Sequence, residues 1–193
     1  MNTLDILPRP TIDPDNVATL LLTSGTTGEP KIAMLTHDNV LTAAKSVIDR
    51  ENRAGIVSSP LNRHCSFLPM AHLYEQAALS MMLINGGRII CCPAPEKLLE
   101  YYALMKPTRL FMVPRVLNKV YDKVMTEVDK SKVKRFLVEQ ALRKEQSSFL
   151  SRIIFRKVKQ LFGGEVSIML SGSAPISPDI LHFFSYCTRY SNI

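Results

Sequence analysis

Tryptophan is absent from the 193 residues, and aromatic side chains make up only 7%. No apolar run approaches the ~18 residues of a membrane-crossing helix. The best of them, residues 77–84, is short and contains Ser80. Cysteine is scarce, with four thiols at Cys65, Cys91, Cys92 and Cys187. Adjacent residues on a strand point to opposite faces, so Cys91 and Cys92 are badly placed to share a metal. Buried apolar thiols in a reducing compartment are expected, rather than a zinc site or a disulfide scaffold. Eight glycines and twelve prolines without a period exclude a collagen-like chain. Residues 1–15 mix Asp5, Asp13 and Asp15 with three prolines, which is not a secretory leader.

What is present is the composition of a globular protein: 46% hydrophobic, 21% charged and a mean hydropathy of +0.05. A chain of this length buries roughly 70% of its unfolded surface and needs no covalent staple to fold. The formal charge is +7, and it is unevenly spread. Between Arg115 and Lys159 there are thirteen Lys/Arg against five Asp/Glu. Such a block suits a non-catalytic module that meets an anionic membrane or an acidic partner, but it equally describes the solvated faces of amphipathic helices. Nucleic acid is not expected, because no recognition motif or aromatic interleaving accompanies the charge.

Residues 17–23 form an apolar run of strand length after an N-terminal loop (1–16), and 32–35 resume an extended pattern. Thr36 and Asp38 offer N-cap oxygens for a helix reaching about Arg50. Residues 51–63 read as a polar loop. Beyond them strands are expected at 65–69, 88–92 (buried), 109–113 and 166–170, and helices at 74–84 and 96–105. Val116, Val120, Val124 and Val128 mark a helix stripe after Pro114. A helical block follows over 133–162, with a break near Ser147 and Ser148 and a stop at Gly163-Gly164. Ser177-Pro178-Asp179 opens a last helix. This alternation predicts an α/β fold of parallel βαβ units with helices on both sheet faces.

Chemistry concentrates in Thr23-Ser24-Gly25-Thr26-Thr27-Gly28-Glu29-Pro30-Lys31. Gly25 and Gly28 allow a tight turn with close backbone approach; Thr23, Ser24, Thr26 and Thr27 offer hydroxyls to phosphate oxygens; and Lys31 adds a positive charge. Walker A spacing is excluded, since Pro30 separates Lys31 from the glycines and an extended segment follows. A Ser/Thr/Gly-rich hairpin turn with no ligand fits the same composition.

With Leu22 before it and Thr36-His37 after it, that stretch resembles the phosphate-loop signature of the adenylate-forming (AMP-binding) enzymes. Three further segments resemble, more narrowly, long-chain acyl-CoA synthetases. They are Phe67-Leu68-Pro69-Met70-Ala71-His72-Leu73-Tyr74-Glu75, the run from Val113-Pro114-Arg115 to Asp122-Lys123, and Leu170-Ser171-Gly172-Ser173-Ala174-Pro175-Ile176-Ser177. The four occur in the family's order, so the likeness covers residues 15–184.

The resemblance implies an acid–thiol ligase: a fatty-acid carboxylate attacks the α-phosphate of ATP, and CoA then takes the acyl group. It places Lys31 and the loop hydroxyls on the ATP phosphates, with Mg²⁺ near Thr27, and His72 beside the carboxylate and α-phosphate as a second catalytic residue. Gly172, Ser173, Ala174 and Pro175 would border the adenine and acyl pockets. His72 also fits a surface or capping role, and residues 172–175 also fit a plain turn. Arg115 suits a helix start better than a phosphate contact. Met70, Met81, Met82, Met105 and Met112 are expected in the core, the alternative being that some border an acyl channel. The family has glycine where this chain has Ile32, which matters if that backbone is left-handed and is harmless if it is extended. The family's Tyr-Gly-x-Thr-Glu, ribose-binding and C-terminal catalytic parts are not among the 193 residues. Residues 17–193 are therefore expected to be a partial adenylation domain, inactive alone, from an intracellular enzyme peripheral to an organelle membrane such as the endoplasmic reticulum.

Overall fold

Thr36 both ends a strand and starts a helix. Its Oγ1 accepts the Asn39 N–H at 3.2 Å while Asn39 Oδ1 accepts the Thr36 N–H at 3.1 Å, a reciprocal cap. In the computed structural model, which describes residues 11–24, 30–57, 59–144 and 149–189, this cap joins a hairpin to α1 (His37–Arg53). The hairpin pairs β1 (Val17–Ser24) with β2 (Pro30–Thr36) antiparallel, with Leu22 opposite Ile32 and Thr23 opposite Lys31.

The rest alternates as the sequence predicts: β3 (Arg63–Ser66), α2 (Leu73–Ile84), β4 (Arg88–Cys91), α3 (Leu98–Met105) and β5 (Arg109–Met112). Three helices follow, α4 (Pro114–Asp129), α5 (Lys132–Lys144) and α6 (Phe149–Leu161), then β6 (Ile168–Ser171) and α7 (Pro178–Arg189). The four strands β3 to β6 form one parallel sheet in the order β4-β3-β5-β6.

The two-residue period of β5 divides the interior. Phe111 packs with Ala44 of α1 and Ala78, Met81 and Met82 of α2. Leu110 and Met112 join the larger core with Leu117, Val124, Phe155 and Phe183. Helices thus cover both faces. The step β3 to β4 moves one way on the α1/α2 face, and the steps β4 to β5 and β5 to β6 move the other way on the opposite face, as crossovers of a single hand require. The connections therefore diverge between β3 and β5, leaving a crevice beyond their carboxyl ends where ligands of open sheets bind. Gly163 turns the chain out of α6 at φ +87°; a Cβ there would stand 2.3 Å from the Tyr102 carbonyl oxygen.

Several expectations fail for want of long-range information. The polar loop at 51–63 is helical as far as Arg53, and Glu51 is buried because it meets Arg109 of β5 at 2.5 Å. The strand expected to be buried at 88–92 is an edge strand, so Arg88 and Cys91 are exposed. Cys65, Cys92 and Cys187 are the buried thiols. Met81, Met82 and Met112 are core, but Met70 and Met105 are exposed. The α4 stripe is Leu117, Val120, Val124 and Val128, with Val116 at its margin. Parallel pairing does not extend to the hairpin. The break near Ser147 and Ser148 lies outside the described residues.

Candidate active site

The first turn of α2 ties two strands of the sheet, at their carboxyl ends, to the hairpin. Tyr74 Oη donates to the Leu170 carbonyl at the end of β6 (3.0 Å). Glu75 accepts from Ser66 Oγ at the end of β3. Gln76 Nε2 donates to Thr19 Oγ1 of β1 at 3.3 Å and to the Met70 carbonyl at 2.7 Å. Three consecutive residues, Tyr74, Glu75 and Gln76, therefore tie together the first strand of the hairpin, the loop around His72 and the strand before Gly172.

His72 is the N-cap of α2 and is exposed. Its ring makes no capping bond. The backbone does that work, with the His72 carbonyl accepting from Glu75 N–H at 3.1 Å and Gln76 N–H at 3.3 Å. Gly172 lies against α2: its N–H donates to the Met112 carbonyl at 3.2 Å, and a Cβ on it would stand 2.6 Å from the Tyr74 ring. Ser173 follows in the left-handed region at φ +69°, and Ser173, Ala174 and Pro175 are exposed. Arg115 is exposed in the first turn of α4, behind Pro114 at the helix start.

At the base of the hairpin, Thr23 Oγ1 donates to the Lys31 carbonyl at 3.2 Å, closing the strands beneath the turn. Ser24 ends β1. Gly25, Thr26, Thr27 and Gly28 lie outside the described residues. Ile32 stands in β2 opposite Leu22 and is not among the described residues with positive φ. Replacing the family glycine there costs the strand nothing in backbone strain.

Under α2 runs a buried polar layer that the sequence did not announce. His64 Nε2 lies 3.6 Å from Glu75 Oε1, both within the interior, and the His64 ring meets Phe111 edge-on at 4.8 Å. In the sheet His64 is beside Arg109, which pairs with Glu51. Burial, and then the Glu75 charge, push the Tyr74 hydroxyl up to about 12, keeping it a donor to Leu170. Tyr74 and Glu75 close the motif around His72, so their position was legible. The contribution of Ser66, Glu51 and Arg109 was not, since their partners are distant in sequence.

The decisive comparison is with families of known proteins: residues 3–192 match the model of the AMP-binding enzyme family. The chain belongs to the AMP-binding enzymes. Among relatives, long-chain-fatty-acid–CoA ligase 1 of Cavia porcellus is 34% identical over 91% of this chain and 26% of its own length. The peroxisomal long chain acyl-CoA synthetase 7 of Arabidopsis thaliana is 35% identical over 90% of this chain and 26% of its own length. Fatty acyl-CoA synthetase A of Dictyostelium discoideum is 36% identical over 90% of this chain and 27% of its own. Among solved structures, the A domain of a carboxylic acid reductase from Segniliparus rugosus, in complex with AMP and a co-purified carboxylic acid, superimposes with a TM-score of 0.70. It is 27% identical over 95% of this chain and 28% of that one. ATP-bound MatB from Rhodopseudomonas palustris gives 0.59 at 25% identity, over 93% of this chain and 28% of that one. The fold is thus the α/β, adenylate-forming one. This member of the AMP-binding enzymes spans about a quarter of the length of the curated relatives it matches. No helix among its described residues is long and apolar enough to cross a membrane.

Proposed function

We propose that this chain supplies the phosphate-binding and carboxylate-orienting part of a long-chain fatty acid–CoA ligase. A carboxylate is a poor electrophile. Joining it to the α-phosphate of ATP makes a mixed anhydride whose leaving group is AMP, and the CoA thiol then displaces AMP to give the thioester. The charge that gathers on departing pyrophosphate needs fixed donors. Thr23, Ser24, Gly25, Thr26, Thr27, Gly28 and Lys31 take that role in this reading. His72 orients the fatty-acid carboxylate against the α-phosphate and lowers the repulsion between the two anions. Gly172, Ser173, Ala174 and Pro175 border the adenine and acyl groups, where small residues permit close approach.

Mg²⁺ is the ion expected with ATP here. Among the described residues no group of three or more His, Cys, Asp or Glu gathers to hold a metal, and Thr27 lies outside them.

The observation that carries the reading is the convergence on α2: one turn ties the hairpin, the His72 loop and the strand before Gly172 into a single frame. The test is a chimera in which this chain replaces the matching quarter of the Dictyostelium synthetase. Fatty-acid-dependent exchange of pyrophosphate into ATP is expected to survive the graft. It should drop at least a hundredfold on Lys31→Ala or His72→Ala, and the 193-residue chain alone should bind ATP weakly with negligible acyl-CoA synthesis. Undiminished exchange in both variants would remove the assignment.

A further inference from the structure

Away from the crevice, α4, α5 and α6 enclose an apolar groove with a cavity volume of about 630 Å³, within the ~300–1,000 Å³ range of small-molecule sites. Val124, Val128 and Val158 form its buried floor. Val133 and Ile153, 65% and 41% exposed, stand on its walls with Leu137 and Leu161. The α4 residues that line it, Lys123 to Val128, lie roughly 13–21 Å along the helix from Pro114, at 1.5 Å per residue. The groove therefore sits far from His72 and Gly172.

Its rim is cationic. Lys123, Lys134 and Lys157 line it against a single carboxylate, Glu127, and Glu127 already pairs with Lys130 at 2.6 Å. Among the described residues none of the three lining lysines is in an ion pair within 4.0 Å. An extended peptide would bury amide groups against a lining whose other polar side chains are Ser131 and Glu127, which is costly. An alkyl chain carries no such groups, and its anionic head would meet the lysines at the mouth.

We propose that this groove binds one long-chain carboxylate, at a site separate from the phosphate hairpin. The proposal does not rest on the ligase reading, and its test needs no nucleotide. The 193-residue chain is titrated calorimetrically with octanoate, decanoate and dodecanoate below their micelle concentrations. One site per chain is expected, tightening about fourfold per methylene and weakening as salt rises, with dodecanol bound several-fold less well than dodecanoate. Replacing Lys123, Lys134 and Lys157 together by Glu should erase the preference for carboxylate over alcohol. Val133→Glu should abolish both, and since these four side chains are exposed the variants are expected to keep their circular dichroism. Absence of saturable binding, or binding that survives both variants, overturns the proposal. Attachment to phosphatidylserine vesicles without binding of monomeric dodecanoate also overturns it, and assigns the lysines to a membrane surface.

Discussion

A methyl group at position 172 would stand 2.6 Å from the Tyr74 ring, and that ring is held by its hydroxyl on Leu170. Gly172→Ala should therefore cost about 1–3 kcal/mol, the usual price of overpacking, read by urea denaturation. Beside Tyr74→Ala the same change should cost distinctly less, a coupling that a double-mutant cycle measures; an equal loss in both backgrounds would place the collision elsewhere. The thiols divide in the same way, by surroundings and not by type. Burial, then the neighbouring Cys92 and Cys91, push the Cys65 thiol up to about 12, and burial raises Cys187 too, while Cys91 is exposed. A maleimide should modify Cys91 alone in the folded chain and all four cysteines in denaturant. An acid whose folded pKa is raised stays protonated in the native state after the unfolded chain has ionised, so stability falls as pH rises. Above about pH 9, each such thiol should remove about 1.4 kcal/mol per pH unit, with Tyr74, pushed up to about 12, joining above about pH 10. Denaturation midpoints that stay flat between pH 9 and 10.5 would contradict this.

Helix α1 shows which parts of an element could be read from the sequence. Its start is local: Thr36, one of the two N-cap oxygens read from the sequence, does cap the helix, though its reciprocal partner is Asn39 and not Asp38. Its end is not, because Glu51 stays helical and buried through Arg109 on a distant strand. Elsewhere the same division holds. The α4 stripe and the glycine stop after α6 follow from spacing, whereas the edge position of β4, and with it the exposure of Cys91, depends on which strands pair. The loops around His72 and Gly172 could be placed at strand ends in advance. Their meeting through Tyr74, Glu75 and Gln76 could not, since each bond crosses to another strand or loop. These two kinds of contact should differ in energy. Thr36→Ala removes an exposed cap and should cost about 1 kcal/mol. Glu51→Ala removes the carboxylate that neutralises a buried guanidinium and should cost about 3–5 kcal/mol. If denaturant titrations rank the two variants the other way, the Glu51–Arg109 pair is not closed to water.

At the scale of the molecule, the sheet presents its proposed chemistry at the carboxyl end and an apolar, lysine-rimmed groove far down the helices behind it, while the hairpin stands apart from both cores. Among the described residues of β1, Leu21 is the buried one. On the other side Leu20 faces Met34 and Leu22 faces Ile32 across the strands, and all four are 61–75% exposed. A two-stranded ribbon with an apolar outer face invites pairing with another apolar surface. The 193-residue chain should therefore associate as its concentration rises, giving an increasing weight-average mass in sedimentation equilibrium. Leu22→Lys with Ile32→Thr breaks up the face at two paired positions. Because neither side chain is buried, unfolding free energy should change by no more than about 0.5 kcal/mol, while association weakens. A large loss of stability would mean that the outer face is covered by the chain itself, and unchanged association would place the sticky surface elsewhere, with the groove between α4, α5 and α6 the next to be tested through Val133→Glu.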